Sequence, residues 1–259
     1  LSSIYQALAK LEAEQGAGAL CTLISTHGST PRHSGSKMLV YSDGSILGTI
    51  GGGELENRVI LEAMQAMKDG LPRRLSYSMV EPQRGDPGVC GGQVEVYVEP
   101  VLPRPVLVVI GGGHVGKAVV HLAHWLGFVT VVCDDRPEFC NPGVLPEADQ
   151  FFSVKMAEFP GQFVITPWTY LVLTTRGASV DADGLPALLD TPAAYIGVIG
   201  SRRRWAETCK LLKAQGIPDE KIARVKSPIG LELNAETPEE IAISILAEII
   251  QLRRGGDAR

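Results

Sequence analysis

The sequence predicts an α/β protein in two parts: a smaller N-terminal α+β domain over residues 1–100, then a doubly wound parallel-sheet domain over 105–259. Three observations carry this. Up to residue 98 several short strand-like runs share the chain with two helical patterns. Pro100, Pro103 and Pro105 then interrupt any regular element. Beyond them strand and helix alternate, as a sheet with βαβ crossovers requires.

In the first part, Ser3 and Gln6 form a capping box ahead of Ile4, Ala7, Leu8 and Leu11 at helical spacing, with Gly16 as a stop, so a helix is expected over 3–15. Residues 20–25, 37–41 and 46–50 are short apolar or β-branched runs between Gly, Ser, Pro and Asp, and are expected as strands. Leu55, Val59, Ile60, Met64 and Met67 mark one face of a helix closed by Gly70 and Pro72. Strand character returns at 75–80 and 94–98. The segment from Glu99 to Pro105 is expected to be a linker. In the second part, strands are expected at 106–110, 129–133, 151–154, 170–174 and 195–199, with a helix after the first of them to about Leu126. A last helix is announced by Thr237 as N-cap, Pro238 and Glu240, with Ile241, Ile245, Ala247 and Ile249 following.

The 259 residues are 45% hydrophobic, enough to bury a core, and carry a net charge of −5. That balance argues against nucleic acid as the main partner, which needs a basic face. No apolar run approaches the roughly 18 residues of a membrane span. The start lacks the basic and apolar regions of a signal peptide, so a cytoplasmic protein is expected. Five cysteines without paired spacing fit reduced thiols better than a disulfide framework.

The chemistry is concentrated in glycine-rich turns between strands and helices. Gly111-Gly112-Gly113-His114-Val115-Gly116 satisfies G-x-G-x-x-G directly after a strand and before a helix, the Rossmann-type context for a dinucleotide phosphate. Asp134 closes the next strand, where it would accept from ribose hydroxyls and favour NAD over NADP; Arg136 acts against that preference. His114 lies in the loop itself. The alternative is a crevice of this fold that holds another ligand or none. Gly200-Ser201 leads into Arg202, Arg203 and Arg204, cations that oppose the helix dipole and suit a bound anion; solvated surface charge is the alternative. Thr175-Arg176-Gly177 follows another strand and is expected to wall the crevice. His121 and His124, i and i+3 on the first helix of this part, have no obvious further metal ligand, so packing or solvent is the simpler reading.

A second triplet, Gly51-Gly52-Gly53, also opens a helix, with Glu54 and Glu56 placed to complement its dipole or cap it. The loop from Thr26 to Lys37 brings Arg32, His33 and Lys37 and is expected to help enclose an anion; a charged hairpin connection is the alternative. Cys90 sits in a glycine-rich bend, Asp86-Pro87-Gly88-Val89-Cys90-Gly91-Gly92, which favours an accessible thiol of lowered pKa, a nucleophile or a metal ligand; a snug turn residue is the alternative. Cys21, Cys133 and Cys209 lie in apolar runs as core residues, and Cys140 in a loop.

These residues resemble the XdhC/CoxI family of accessory proteins for xanthine dehydrogenase and related molybdenum hydroxylases. The resemblance is carried by Gly28-Ser29-Thr30-Pro31-Arg32 with Lys37 to Val40, by Gly48 to Glu56, and by Cys90-Gly91-Gly92. It continues with Ile110 to Gly116, Tyr195 to Arg202 and Ala235 to Ala242, and so spans nearly the whole chain. Thr175-Arg176-Gly177-Ala178 departs from members with a histidine after the threonine. The resemblance implies a protein that binds molybdenum cofactor, helps it acquire sulfur from a cysteine desulfurase, and inserts it into the large subunit of an apo-molybdenum hydroxylase. It implies Cys90 at the metal or as a sulfur relay. A phosphate would lie on one or both glycine loops, and self-association into a homodimer is compatible with the role. The readings from other classes are an NAD-dependent oxidoreductase and a nucleotide-sensing module.

Overall fold

The structure, a computed structural model, describes residues 3–78 and 91–255. The chain divides into two compact units, Leu1–Pro103 and Arg104–Arg259.

Unit 1 opens with α1 (Ile4–Ala13), where Ser3 and Gln6 complete the capping box. Its strands are β1 (Gly18–His27), β2 (Lys37–Tyr41), β3 (Ile46–Gly48), β4 (Arg73–Ser78) and β5 (Gln93–Val101), and helix α2 (Gly53–Asp69) lies between β3 and β4. They form one antiparallel sheet in the order β3-β2-β1-β5-β4. The residues paired across it, such as Cys21 with Met38 and Val98, are fully buried on one side, and α2 packs on β1, β2 and β5. α2 turns Leu55, Val59, Ala63, Ala66 and Met67 inward, then stops at Gly70, whose left-handed conformation suits glycine. Leu39 on the opposite side of the sheet meets Ala7 and Leu11 of α1.

The expected linker is partly strand: β5 runs through Pro100 to Val101. β4 ends its pairing at Val98, so the last residues of β5 have only β1 as a partner, an edge position where proline is tolerated. β4 itself starts two residues earlier than expected, at Arg73.

In unit 2, β6 (Val106–Ile110), α3 (His114–Trp125), β7 (Val129–Cys133), β8 (Gln150–Phe152), β9 (Thr169–Leu173), α4 (Ala178–Leu189), β10 (Tyr195–Val198), α5 (Arg202–Ala214), α6 (Asp219–Ile222), β11 (Val225–Lys226) and α7 (Pro238–Arg253) follow. All pairings are parallel and the order is β11-β10-β9-β6-β7-β8. Counted from β6, this is the Rossmann order 3-2-1-4-5-6. Buried residues of α4 and α5 cover one face of the sheet and those of α3 and α7 the other, because the central strands are apolar on both sides. α7 has the capping box of Thr237 and Glu240.

α4 was not expected, because Gly184 and Pro186 break its pattern. Burial of Ala182, Leu185, Leu188 and Leu189 outweighs their cost. Gly184 is needed there, since a Cβ would lie 2.6 Å from the Met156 side chain. Cys140, expected in a loop, is 6% exposed. The turn at Pro137–Phe139 folds it back, and its thiol donates to the Val132 carbonyl at 3.6 Å. Burial raises the thiol pKa of Cys21 and of Cys133 to about 12, so neither is a thiolate at neutral pH.

Candidate functional site

In unit 1 the topology gathers three glycine-bearing segments at one end of the sheet. β1 and β3 end there, and β2 and β5 begin there. A register shift between Leu23 and Ser25 marks a bulge, which re-aims the end of β1. A Cβ on Gly92 would lie 2.3 Å from the Ser29 carbonyl, and one on Gly51 would lie 2.9 Å from Pro31. The segment at residues 28–32 therefore touches both Gly51 and the Gly91-Gly92 turn. Arg32 and His33 are exposed on this end, and His27 is within 3.2 Å of the Ser25 hydroxyl. Lys37 instead donates to Thr22 at 3.2 Å. Cys90 and the bend before it lie outside the described residues.

The amides of the first triplet already have an anion. Glu56 turns back from α2, accepts from the Thr49 hydroxyl at 2.5 Å and from the Ile50 amide at 3.0 Å, and lies beside the amides of Gly51 and Gly52, of which Gly51 donates to the Thr49 hydroxyl at 3.3 Å. Burial works to raise its pKa, but the bonds from Thr49, Gly52, Ile50 and Gly51 outweigh that and hold it below the ordinary value. Glu54 pairs with Arg58 at 3.1 Å and takes no part. A Cβ built on Gly52, Gly53 or Gly91 meets nothing within 4 Å, so bare backbone faces open space at three points of this end.

In unit 2 the second triplet is shaped by close packing. A Cβ would lie 2.0 Å from the Phe139 carbonyl at Gly112, and 2.0 Å from the Gly111 carbonyl at Gly116. Thr174 Oγ1 donates to the Gly111 carbonyl at 2.6 Å and ties the loop to the end of β9. Gly113 is the N-cap of α3 without a side-chain cap bond, and His114 is exposed beside it. Gly112→Ala is therefore expected to cost about 1–3 kcal/mol, while Gly113→Ala, with open space around it, costs less; urea unfolding of the two variants checks the contrast.

Asp134 is 4% exposed and its carboxylate is engaged inside the protein. It accepts from the Gly112 amide at 2.8 Å, from the Arg136 amide at 3.0 Å and from two guanidinium nitrogens of Arg136 at 2.9 Å each. Burial works against its ionisation, but the Arg136 side chain and the Gly112 and Arg136 amides keep its pKa below the usual carboxylate value. Arg136 also stacks on Phe139 at 4.0 Å.

Of the three arginines of α5, Arg204 meets a buried acid that its sequence context did not reveal. Asp181 is fully buried and accepts from Arg204 Nε at 3.2 Å and Nη2 at 2.7 Å, and from the Thr175 hydroxyl. Arg204 also donates to the Thr175 carbonyl at 3.0 Å and lies across Gly200. Ser201 caps α5 by accepting from the Arg204 amide, and Arg202 pairs with exposed Glu232 at 3.1 Å. So Gly200 and Ser201 serve this network, the anion that meets Arg204 is Asp181, and Arg202 is solvated surface charge. Its signal in the sequence was one acid among Val180, Ala182 and Leu185, which reads equally as surface. His121 is paired with Glu147 at 2.6 Å, and no cluster of metal-ligating residues occurs among the described residues.

At the carboxyl ends of β6, β7 and β9 lies a cavity of about 410 Å³. Ile110, Cys133, Val154, Met156 and Val180 supply apolar lining, and Asp135, Arg136, Lys155, Arg176 and Asp183 the polar groups. Arg176 Nη2 donates to both oxygens of Asp135 at 3.0 Å. Lys155, Asp135 and Asp183 were not among the expected site residues, since they belong to loop and helix positions that only the fold brings together.

A small antiparallel domain, a Rossmann-ordered domain and these glycine loops define the class of protein. The family description for the XdhC Rossmann domain matches residues 107–249, and that for the XdhC and CoxI family matches 11–78. The chain belongs to the XdhC/CoxI family. It is 38% identical over 256 residues to the uncharacterized protein YqeB of Escherichia coli (strain K12), covering 97% of this chain and 46% of that protein. It is 33% identical over 159 residues to a Bacillus subtilis (strain 168) protein named as the probable A subunit of xanthine dehydrogenase, covering 61% of this chain and 46% of that protein. The chain thus spans about half the length of these two relatives. With the molybdenum cofactor insertion chaperone PaoD of Escherichia coli (strain K12) it shares 23% identity, over 92% of this chain and 84% of PaoD. A crystal structure described as a xanthine dehydrogenase from Bacillus halodurans is similar over 99% of this chain and 97% of its own, with 26% identity and a TM-score of 0.53. No helix among the described residues is long and apolar enough to cross a membrane.

Proposed function

We propose that this chain binds molybdenum cofactor, holds it while it acquires sulfur from a cysteine desulfurase, and inserts it into the apo large subunit of a xanthine dehydrogenase-type hydroxylase. The observation that carries this is the meeting of residues 28–32, 51–53 and 91–92 at one end of the unit 1 sheet. Bare backbone at Gly52, Gly53 and Gly91 lets a flat, phosphate-bearing ligand approach without a side chain in the way. Arg32, exposed at the same end, supplies a cation for the phosphate. Because Glu56 lies against the amides of Ile50, Gly51 and Gly52, we assign the phosphate to Arg32 and the bare backbone at Gly53. When bound, the cofactor supplies the dithiolene-held metal at which the client hydroxylase works; Cys90, adjoining Gly91 in the chain, is assigned to that metal or to the sulfur passed to it.

PaoD, a relative of similar length by its coverage, supports the insertion role by its name. The same reading places the protein in the cytoplasm, working alone or as a homodimer. Occupation of the unit 2 crevice by NAD or another nucleotide is its second part, favoured by the Rossmann strand order and the cavity at its carboxyl edge.

The thiol is tested by loading wild type and Cys90→Ala with cofactor anaerobically, then supplying cysteine desulfurase, cysteine and apo-hydroxylase. Cys90→Ala is expected to lower recovered hydroxylase activity at least tenfold. Equal recovery by both proteins would remove Cys90 from the mechanism.

A further inference from the structure

We propose that the unit 2 cavity is a nucleoside diphosphate site with a built-in competitor, Asp135, which holds Arg176 until a phosphate group takes it. The cavity's position is the first support. It lies outside the carboxyl ends of parallel strands beside the order reversal between β6 and β9, where open α/β sheets bind ligands. Its volume of about 410 Å³ falls within the range of small-molecule sites. The apolar lining from Cys133, Val154, Met156 and Val180 suits a heteroaromatic base, with Lys155 and Asp183 exposed to meet its polar edge.

The second support is the ion pair. Asp135 follows β7 and Arg176 follows β9, and β6 lies between those strands. The pair therefore reaches across the carboxyl end of β6, where Gly111 begins the glycine loop. Arg176 is 48% exposed and Asp135 42% exposed, and an exposed pair of this kind adds little to stability, so it separates readily. The neighbouring pair differs: Asp134 has 3% side-chain exposure and is bonded to Arg136 and Gly112 as well, so Arg136 is not released. Of these two arginines, Arg176 is the one a ligand can recruit. A diphosphate over the loop offers it a stronger acceptor than a single solvated carboxylate.

The proposal rests on the reading that the unit 2 crevice takes a nucleotide, and NAD titrated in parallel separates the two, since NAD binding without diphosphate binding overturns this proposal alone; it does not depend on the molybdenum cofactor reading, because the residues belong to unit 2. The test is calorimetric titration of the intact chain with ADP and GDP, with adenosine as an uncharged reference. Removing the competitor in Asp135→Asn is expected to tighten diphosphate binding about two- to fivefold. Arg176→Ala is expected to weaken it roughly tenfold or more, with Arg176→Lys between them. Adenosine affinity should be unchanged in all three variants. No binding of either diphosphate to wild type and Asp135→Asn would overturn the proposal. So would equal weakening by Asp135→Asn and Arg176→Ala, which would make the pair a joint structural element. A parallel titration with molybdenum cofactor separates the two readings: cofactor binding without diphosphate binding overturns this proposal alone.

Discussion

Arg204→Ala is expected to destabilise unit 2 by about 3–5 kcal/mol, because it leaves a buried carboxylate without its counter-charge. Asp181 has no exposed surface, and among the described residues its carboxylate is bonded only by Arg204 and Thr175. Thr175 cannot replace the cation, since its hydroxyl already donates to Asp181 while accepting from Arg204 at 2.6 Å. Replacing both charges together, as in Asp181→Leu with Arg204→Met, is expected to recover most of the loss, as buried pairs can often be exchanged for apolar packing. Urea unfolding of the two proteins checks this. A loss below about 1 kcal/mol for Arg204→Ala would show that the pair is not the anchor between the β9–α4 turn and α5.

Glu56→Gln is expected to destabilise unit 1 by about 2–3 kcal/mol at neutral pH, since hydrogen bonds to a charged acceptor are the stronger kind. The carboxylate is bonded by the Thr49 hydroxyl and by backbone amides of the glycine loop, and a neutral amide oxygen accepts these more weakly. The pH dependence follows from the sign of the shift. The folded pKa is below the ordinary 4.5, so the stabilisation is fully present above that value and is lost as pH falls through the folded pKa. The gap between wild type and Glu56→Gln should therefore be widest at neutral pH and close in acid. A gap that widened in acid would contradict this account of the loop.

Much of the fold was legible because its signals are local. The β2 and β6 boundaries, both capping boxes and the left-handed stop at Gly70 follow from residue types within a few positions. What was not legible depended on partners distant in sequence. Pro100 sits in a strand because β4 ends its pairing at Val98, and α4 forms despite Gly184 and Pro186 because it buries Ala182, Leu185, Leu188 and Leu189, with Gly184 making room for Met156. The site divides in the same way. That glycine triplets begin α2 and lie just before α3 could be read from the chain, whereas the internal partners could not. Asp134 is held by Arg136, Arg204 by Asp181, and the first triplet by Glu56. Arg204 and Asp181 are 23 residues apart and Glu56 folds back six residues to Ile50, while Asp134 and Arg136 meet across the turn after β7; each contact changes which groups remain to meet a ligand. The amides of Ile50 to Gly52 lose their claim as an anion cradle, while the open faces of Gly52, Gly53 and Gly91 keep the bare backbone on which the cofactor reading rests.

The central claim is that this chain receives and delivers molybdenum cofactor. Its most direct test is an anaerobic titration of the intact protein with isolated molybdenum cofactor, followed by addition of apo-hydroxylase. Saturable binding at a fixed stoichiometry, weakened by Arg32→Ala, and activation of the hydroxylase beyond that given by free cofactor are expected. Absence of binding, or hydroxylase activation no greater than with free cofactor, would contradict the claim.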